Sequence, residues 1–121
     1  MIRPMDSEID KLLPLPQAVF QILLALADGE KHGYAVMQDV AVRTGGKWKM
    51  SPGTLYSAVR RMLEDGLIEE LDERPDPAHD DERRRYYRLT RFGRQVAQAE
   101  VGRLSDLLVQ ARAIGWKPKR S

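Results

Sequence analysis

Apolar residues recur along this chain with two different periods, and the change of period divides it. From Gln17 to Asp28 the run QAVFQILLALAD is apolar on nearly every side. That pattern predicts a core helix, opened by Pro16 in its first turn and closed by Asp28-Gly29. From Gly33 to Arg43, the residues Tyr34, Val36, Met37, Val40 and Ala41 form an apolar stripe at helical spacing, which Thr44-Gly45-Gly46 ends. Lys47-Trp48-Lys49-Met50 alternates briefly, enough for a single strand rung. Ser51 is a good N-cap and Pro52 a good first residue for a third helix. Its apolar face is narrow (Leu55, Val59, Met62, Leu63), and Gly66 closes it after Asp65.

The period then shortens. Leu67 to Leu71 is strand-like, Asp72 to Glu82 is rich in proline and acid and reads as a loop, and Arg83 to Leu89 is strand-like again. Two strands around such a loop predict a hairpin with a long tip. Thr90 caps a long helix from Arg91 to about Ile114, with a seam of Val101, Leu104, Leu108 and Ala111 widened by Leu107 and Ile114. Gly102 inside that helix costs about 1 kcal/mol relative to alanine and hints at a close helix contact. Residues 1–14 form an N-terminal arm, in which Ser7 can cap a short turn through Leu13 before Pro14 and Pro16 stop it. The arm reads equally as a docked helix or a frayed tail. The element order predicts a mainly α fold with a small antiparallel β-hairpin. It divides into the arm, a winged helix-turn-helix over residues 15–90, and a C-terminal helix with a basic tail over 91–121.

Composition narrows the chemistry. A chain of 121 residues, 42% hydrophobic and 31% charged, supports one core. The absence of cysteine excludes disulfides, thiolate zinc sites and thiol catalysis, and with only two histidines, far apart, no metal or cofactor is expected. Met1 to Lys11 holds no apolar signal region, and the longest apolar stretch, Ala18 to Ala27, is too short to span a bilayer. A cytoplasmic protein without membrane contact is expected. No phosphate-cradling loop, nucleophile elbow or metal spacing occurs, so no enzyme is expected. A net charge of +2 does not announce a nucleic-acid binder; the distribution of charge must carry that argument.

On a helical wheel the Ser51–Asp65 segment sets Gly53, Ser57, Arg60 and Glu64 opposite its apolar face, with Tyr56 on one flank and Thr54 and Arg61 on the other. Long donors and small hydroxyls on an outward face suit a major groove, and Ser51, Gly53 and Thr54 lie where free backbone N–H groups favour phosphate. An ordinary solvated face has the same pattern. The second candidate is Arg83, Arg84, Arg85 and Arg88, continued by Arg91 and Arg94. Strand alternation sends Arg84, Tyr86 and Arg88 one way and Arg83, Arg85, Tyr87 and Leu89 the other. These arginines suit phosphate contact at the base of a wing, or ion pairs with the acids of the preceding loop. Lys47 and Lys49 add candidate phosphate contacts. Trp48 is expected to pack at the strand rung, His32 to cap or pack at a helix start, and His79 to be exposed.

Three blocks resemble the PadR family of transcriptional regulators. They are His32-Gly33-Tyr34; Ser51-Pro52-Gly53-Thr54-Leu55-Tyr56 running on to Arg60-Arg61-Met62-Leu63-Glu64-Asp65-Gly66-Leu67-Ile68; and Arg83-Arg84-Arg85-Tyr86-Tyr87-Arg88-Leu89-Thr90 with Gly93. The resemblance implies a winged-helix domain binding double-stranded DNA, with the Ser51–Asp65 helix as recognition helix and Arg83–Arg88 on one side of the wing. It also implies a homodimeric repressor with a C-terminal dimerisation region, here a single helix as in a short form. The family's effectors vary, so a small-molecule ligand is implied without being named. The long acidic tip departs from a groove-penetrating wing. Pairing of the Val101–Ala111 seam with a second chain would bury it, and a two-fold dimer implies a palindromic operator. Trp116 either anchors the helix end or lines an inter-subunit pocket. The competing expectation is a winged-helix module that binds protein and has no operator.

Overall fold

The computed structural model describes residues 4–76 and 79–119, with side chains described over 6–72 and 84–119. The helices are α1 (Pro4–Leu12), α2 (Gln17–Ala25), α3 (Gly33–Arg43), α4 (Pro52–Glu64) and α5 (Arg91–Ala113). Three caps set their starts by local chemistry. His32 Nδ1 accepts from the Ala35 amide at 3.1 Å, Ser51 Oγ from Thr54 at 3.2 Å, and Thr90 Oγ1 from Gly93 at 2.9 Å. Each satisfies an amide that the first helical turn leaves without a partner. α2 ends at Ala25, earlier than its apolar run suggests, because Leu26 to Asp28 tighten into a turn.

The core is one cluster in which Ile22, Leu23, Leu26, Val36, Val40, Leu55, Met62, Leu67 and Val96 are almost wholly buried. The arm docks on it as helix α1. Ile9 is buried, Leu12, Leu13 and Leu15 pack alongside, and Ser7 lies inside the helix and not at its cap.

The sheet departs from expectation in two ways. Lys47 to Met50 form no strand; Thr44 Oγ1 instead ties this loop to α3, accepting from the Trp48 amide at 3.2 Å and donating to the Val40 carbonyl at 2.9 Å. The third strand is β1 (Lys31–His32), paired antiparallel with Tyr87 and Tyr86. The expected 72–82 loop is largely strand. β2 (Ile68–Asp76) and β3 (His79–Leu89) run through it with register shifts after Leu71 and Pro75, giving the order β1-β3-β2. Backbone pairing needs no apolar alternation, and bulges absorb the proline. The side chains of 73–76 and 79–83, including Arg83, His79 and most of the acidic tip, lie outside the described residues, as do residues 1–3, 77–78 and 120–121.

Thr90 fastens α5. Its hydroxyl donates to the Gly66 carbonyl at 2.6 Å, and its amide donates to the Leu67 carbonyl at 3.1 Å. Farther along, Glu100 is a buried carboxylate, 3% exposed. It accepts from Arg103 at 2.6 and 3.0 Å and from the backbone amide of Leu15 at 3.3 Å. These bonds, led by Arg103, hold its carboxyl below the ordinary glutamate range. A folded-state value below the unfolded one, about 4.3, adds stability above that pH and loses it as pH falls through the folded value. Urea midpoints should therefore show Glu100→Gln less stable than wild type at pH 7, with the gap closing toward pH 3. A gap independent of pH would mean the charge does not hold this contact.

Candidate nucleic-acid interface

α4 divides as its wheel predicts. Leu55, Ala58, Val59 and Met62 are buried, while Gly53, Thr54, Tyr56, Ser57, Arg60, Arg61 and Glu64 are exposed. Ser51 and Thr54 are engaged with each other, hydroxyl to hydroxyl at 3.0 Å, as part of the cap. Arg61 stands 3.9 Å from Asp65. Among the described residues Arg60, Lys47 and Lys49 make no ion pair, so their charge is available to a phosphate or a base edge.

The start of α3 holds a residue whose exposure differs from the sequence pattern. Tyr34 belongs to the helical stripe by spacing, yet it is 52% exposed, because Val36 and Val40 take the inward face of α3. Gly33 lies under Tyr56. A Cβ there would come within 3.0 Å of the Tyr56 hydroxyl and of Leu55 Cδ2, so the glycine lets Tyr56 lie across the start of α3. Tyr34 on α3 and Tyr56 on α4 are thus both exposed. On α4, Gly53, Thr54, Ser57 and Arg61 share a cleft of about 440 Å³ with Pro16, Ala18 and Val19 of the α2 entrance.

The wing carries its arginines as ion pairs. Arg88 faces Glu69 across the β2–β3 ladder, with Nε 2.8 Å from Oε1, and Arg85 lies 3.3 Å from Glu70. Glu69 and Glu70 lie on the strand and not in the 72–82 segment; the side chains of that segment's acids, apart from Asp72, lie outside the described residues. Arg84 is half-buried, Tyr86 meets the His32 ring edge-on at 5.4 Å, and Tyr87 is buried. Burial pushes the Tyr87 phenol up, with Glu70 adding to the effect. A phosphate binding at Arg85 or Arg88 must therefore compete with a carboxylate already paired to it.

Beyond Glu100, α5 leaves the body. Of residues 101–119 all but Arg103 and Ala111 are exposed. Val101, Leu104, Leu107 and Leu108 are 41–53% exposed, and Gly102 faces open space. Trp116 is 69% exposed, and the cleft beside it is lined by Arg112, Lys117, Pro118 and Lys119. Arg94 does not extend the wing; it borders an apolar groove between α2 and α5. Among the described residues no helix is long and apolar enough to cross a membrane.

A family model described as the transcriptional regulator PadR-like family matches residues 22–99. An uncharacterized 37.1 kDa protein in transposon TN4556 of Streptomyces fradiae is 33% identical over 86 residues, 71% of this chain; the chain spans only 22% of that protein's length. Among solved structures, a transcriptional regulator from Clostridium thermocellum superposes with a TM-score of 0.67 at 22% identity, over 97% of this chain and 100% of that one. Bacillus subtilis PadR in complex with operator DNA gives 0.57 at 21% identity, over 89% of this chain and 52% of that one. These likenesses show the same fold.

Proposed function

The chain belongs to the PadR-like family of transcriptional regulators, and from that premise we propose that it is a homodimeric repressor that reads a palindromic operator with α4 and is released by a small ligand. The observation that carries the reading is the outward face of α4. Gly53, Ser57 and Arg60 stand exposed on a rigid, capped helix, and Arg60 makes no ion pair among the described residues. A helix held by its apolar side with small groups and one long donor outward fits a major groove, where arginine pairs bidentately with guanine. A solved neighbour that holds operator DNA supports the same use of the fold.

Within this reading Arg60 reads a base, while Lys49, Ser51, Thr54, Tyr56 and Arg61 position the helix on the backbone. Arg84, Arg85 and Arg88 supply wing contacts, the last two in competition with Glu70 and Glu69. Trp116, left exposed on one chain, would line a ligand pocket only where two chains meet. Selection of bound duplexes from a random pool, followed by mutation, tests this. Arg60→Ala should weaken the selected operator by about 1–3 kcal/mol and leave random DNA unchanged. Arg84→Ala should weaken both alike and reduce the salt slope by about 1. Equal effects of Arg60→Ala on selected and random DNA would remove base reading from Arg60. A folded dimer that enriches no duplex at low salt would leave the protein-binding module as the reading.

A further inference from the structure

We propose that Glu100 is a positioning residue for the recognition surface: from α5 it fixes where α2 begins, and so sets the cleft in which α2 meets α4. The proposal rests on α4 being the DNA-reading helix.

Glu100 follows Gly93 and Val96 on the inward face of α5, where an apolar side chain would pack. A carboxylate there costs desolvation, and a hydrophobic residue of similar size often serves stability equally well. What the carboxylate adds is direction. One of its three bonds goes to the amide of Leu15. Leu15 lies between Pro14 and Pro16, which have no N–H, so its amide is the single backbone donor of that tripeptide. That donor is spent on α5.

Pro16, the next residue, is the N-cap position of α2 and lines the cleft with Gly53, Thr54, Ser57 and Arg61. Proline fixes φ on both sides of Leu15, so little slack separates the Glu100 carboxylate from the wall facing α4. On its other side Glu100 is held by Arg103, which is one-third exposed between Gly102 and Leu104 on the stretch that carries the apolar seam. The helix proposed to pair two chains therefore also holds the entrance to the DNA-facing cleft.

Glu100→Leu removes the acceptor for Leu15, and Glu100→Gln keeps an oxygen there while removing the charge. Both are made in the full chain and compared by sedimentation, by amide chemical shifts, and by binding to a selected operator and to random duplex. Glu100→Leu should stay folded and dimeric. Its amide shifts should move at Leu15 and at Gly53, Thr54 and Ser57 more than on α3. Its operator-to-random affinity ratio should fall about tenfold, and Glu100→Gln should recover most of it. Shifts confined to Leu15, or an unchanged ratio, would overturn the relay and leave a simple clamp. So would a parallel loss on both DNAs that tracks stability. Should Glu100→Leu not fold, Glu100→Met, which also lacks a carboxylate oxygen for Leu15, carries the same shift comparison against Glu100→Gln. If wild type enriches no duplex, the DNA reading fails, while the shifts at α4 still decide whether Glu100 positions it.

Discussion

Gly93→Ala should cost about 3–4 kcal/mol of folding stability, a large share of the 5–15 kcal/mol typical of a domain. On helix propensity alone the change should help by about 1 kcal/mol. Geometry reverses the sign. A Cβ at Gly93 would stand 1.9 Å from the Leu67 carbonyl oxygen and 2.8 Å from its carbon. Both are backbone atoms, so no rotamer change relieves the overlap. The same oxygen accepts the Thr90 amide, and Thr90 also grips Gly66, so the first turn of α5 cannot retreat without losing the joint to the α4–β2 turn. Thermal unfolding should show a fall of roughly 10–20 °C. Gly102→Ala on the same helix is the control, since its Cβ meets nothing within 4 Å on one chain. A gain at Gly102 with a loss at Gly93 separates contact from propensity. A loss at Gly102 as well would place a partner helix against it. A Gly93→Ala protein as stable as wild type would mean that α5 does not approach Leu67 this closely.

What was legible in the sequence was what short range decides. The start of α4 rests on Ser51 and Pro52, and its buried face on a repeat within one helix, so both can be read from thirteen residues. The same holds for α3 and for the cap of α5. β1 could not be read that way. It has two residues, no period, and a partner strand more than fifty positions later, so only tertiary pairing makes it a strand. The wing strands near the tip hide for a related reason: acids and Pro75 look like loop, while the ladder is held by backbone groups that composition does not record.

The exposed face of α4 was legible, its surroundings less so. Tyr34 fits a helical stripe by spacing, but a stripe gives a face and not its edges, and Tyr34 falls at an edge. The arginine cluster was visible, whereas the pairing of Arg88 with Glu69 and of Arg85 with Glu70 depends on register across β2 and β3. Glu100 was missed because a charged residue reads as solvated. Its position four after Val96, on the inward face, was the available signal.

Leu104→Asp with Leu108→Asp should yield a folded monomer and lower affinity for a palindromic operator by roughly 10²–10⁴-fold. The seam explains the first effect. α5 is about 34 Å long at 1.5 Å per residue, and the part beyond Glu100 leaves Val101, Leu104, Leu107 and Leu108 about half exposed. Exposed apolar surface of this kind is what the proposed dimer would cover. Pairing two such helices buries it, and two buried aspartates without partners make that pairing unfavourable. The core cluster contains none of these residues, so the winged-helix body should melt as before. The second effect is linkage. A dimer engages the second half-site at an effective concentration set by its own geometry, and a monomer loses that advantage while keeping every contact of α4 with a single half-site. Affinity for an isolated half-site should therefore stay within about threefold, and the salt slope on the full operator should fall by about half. Sedimentation velocity and titration on full and half operators separate the outcomes. A double variant that remains dimeric would move the interface off this seam, and a monomer that binds the full operator undiminished would leave one copy of α4 sufficient for recognition.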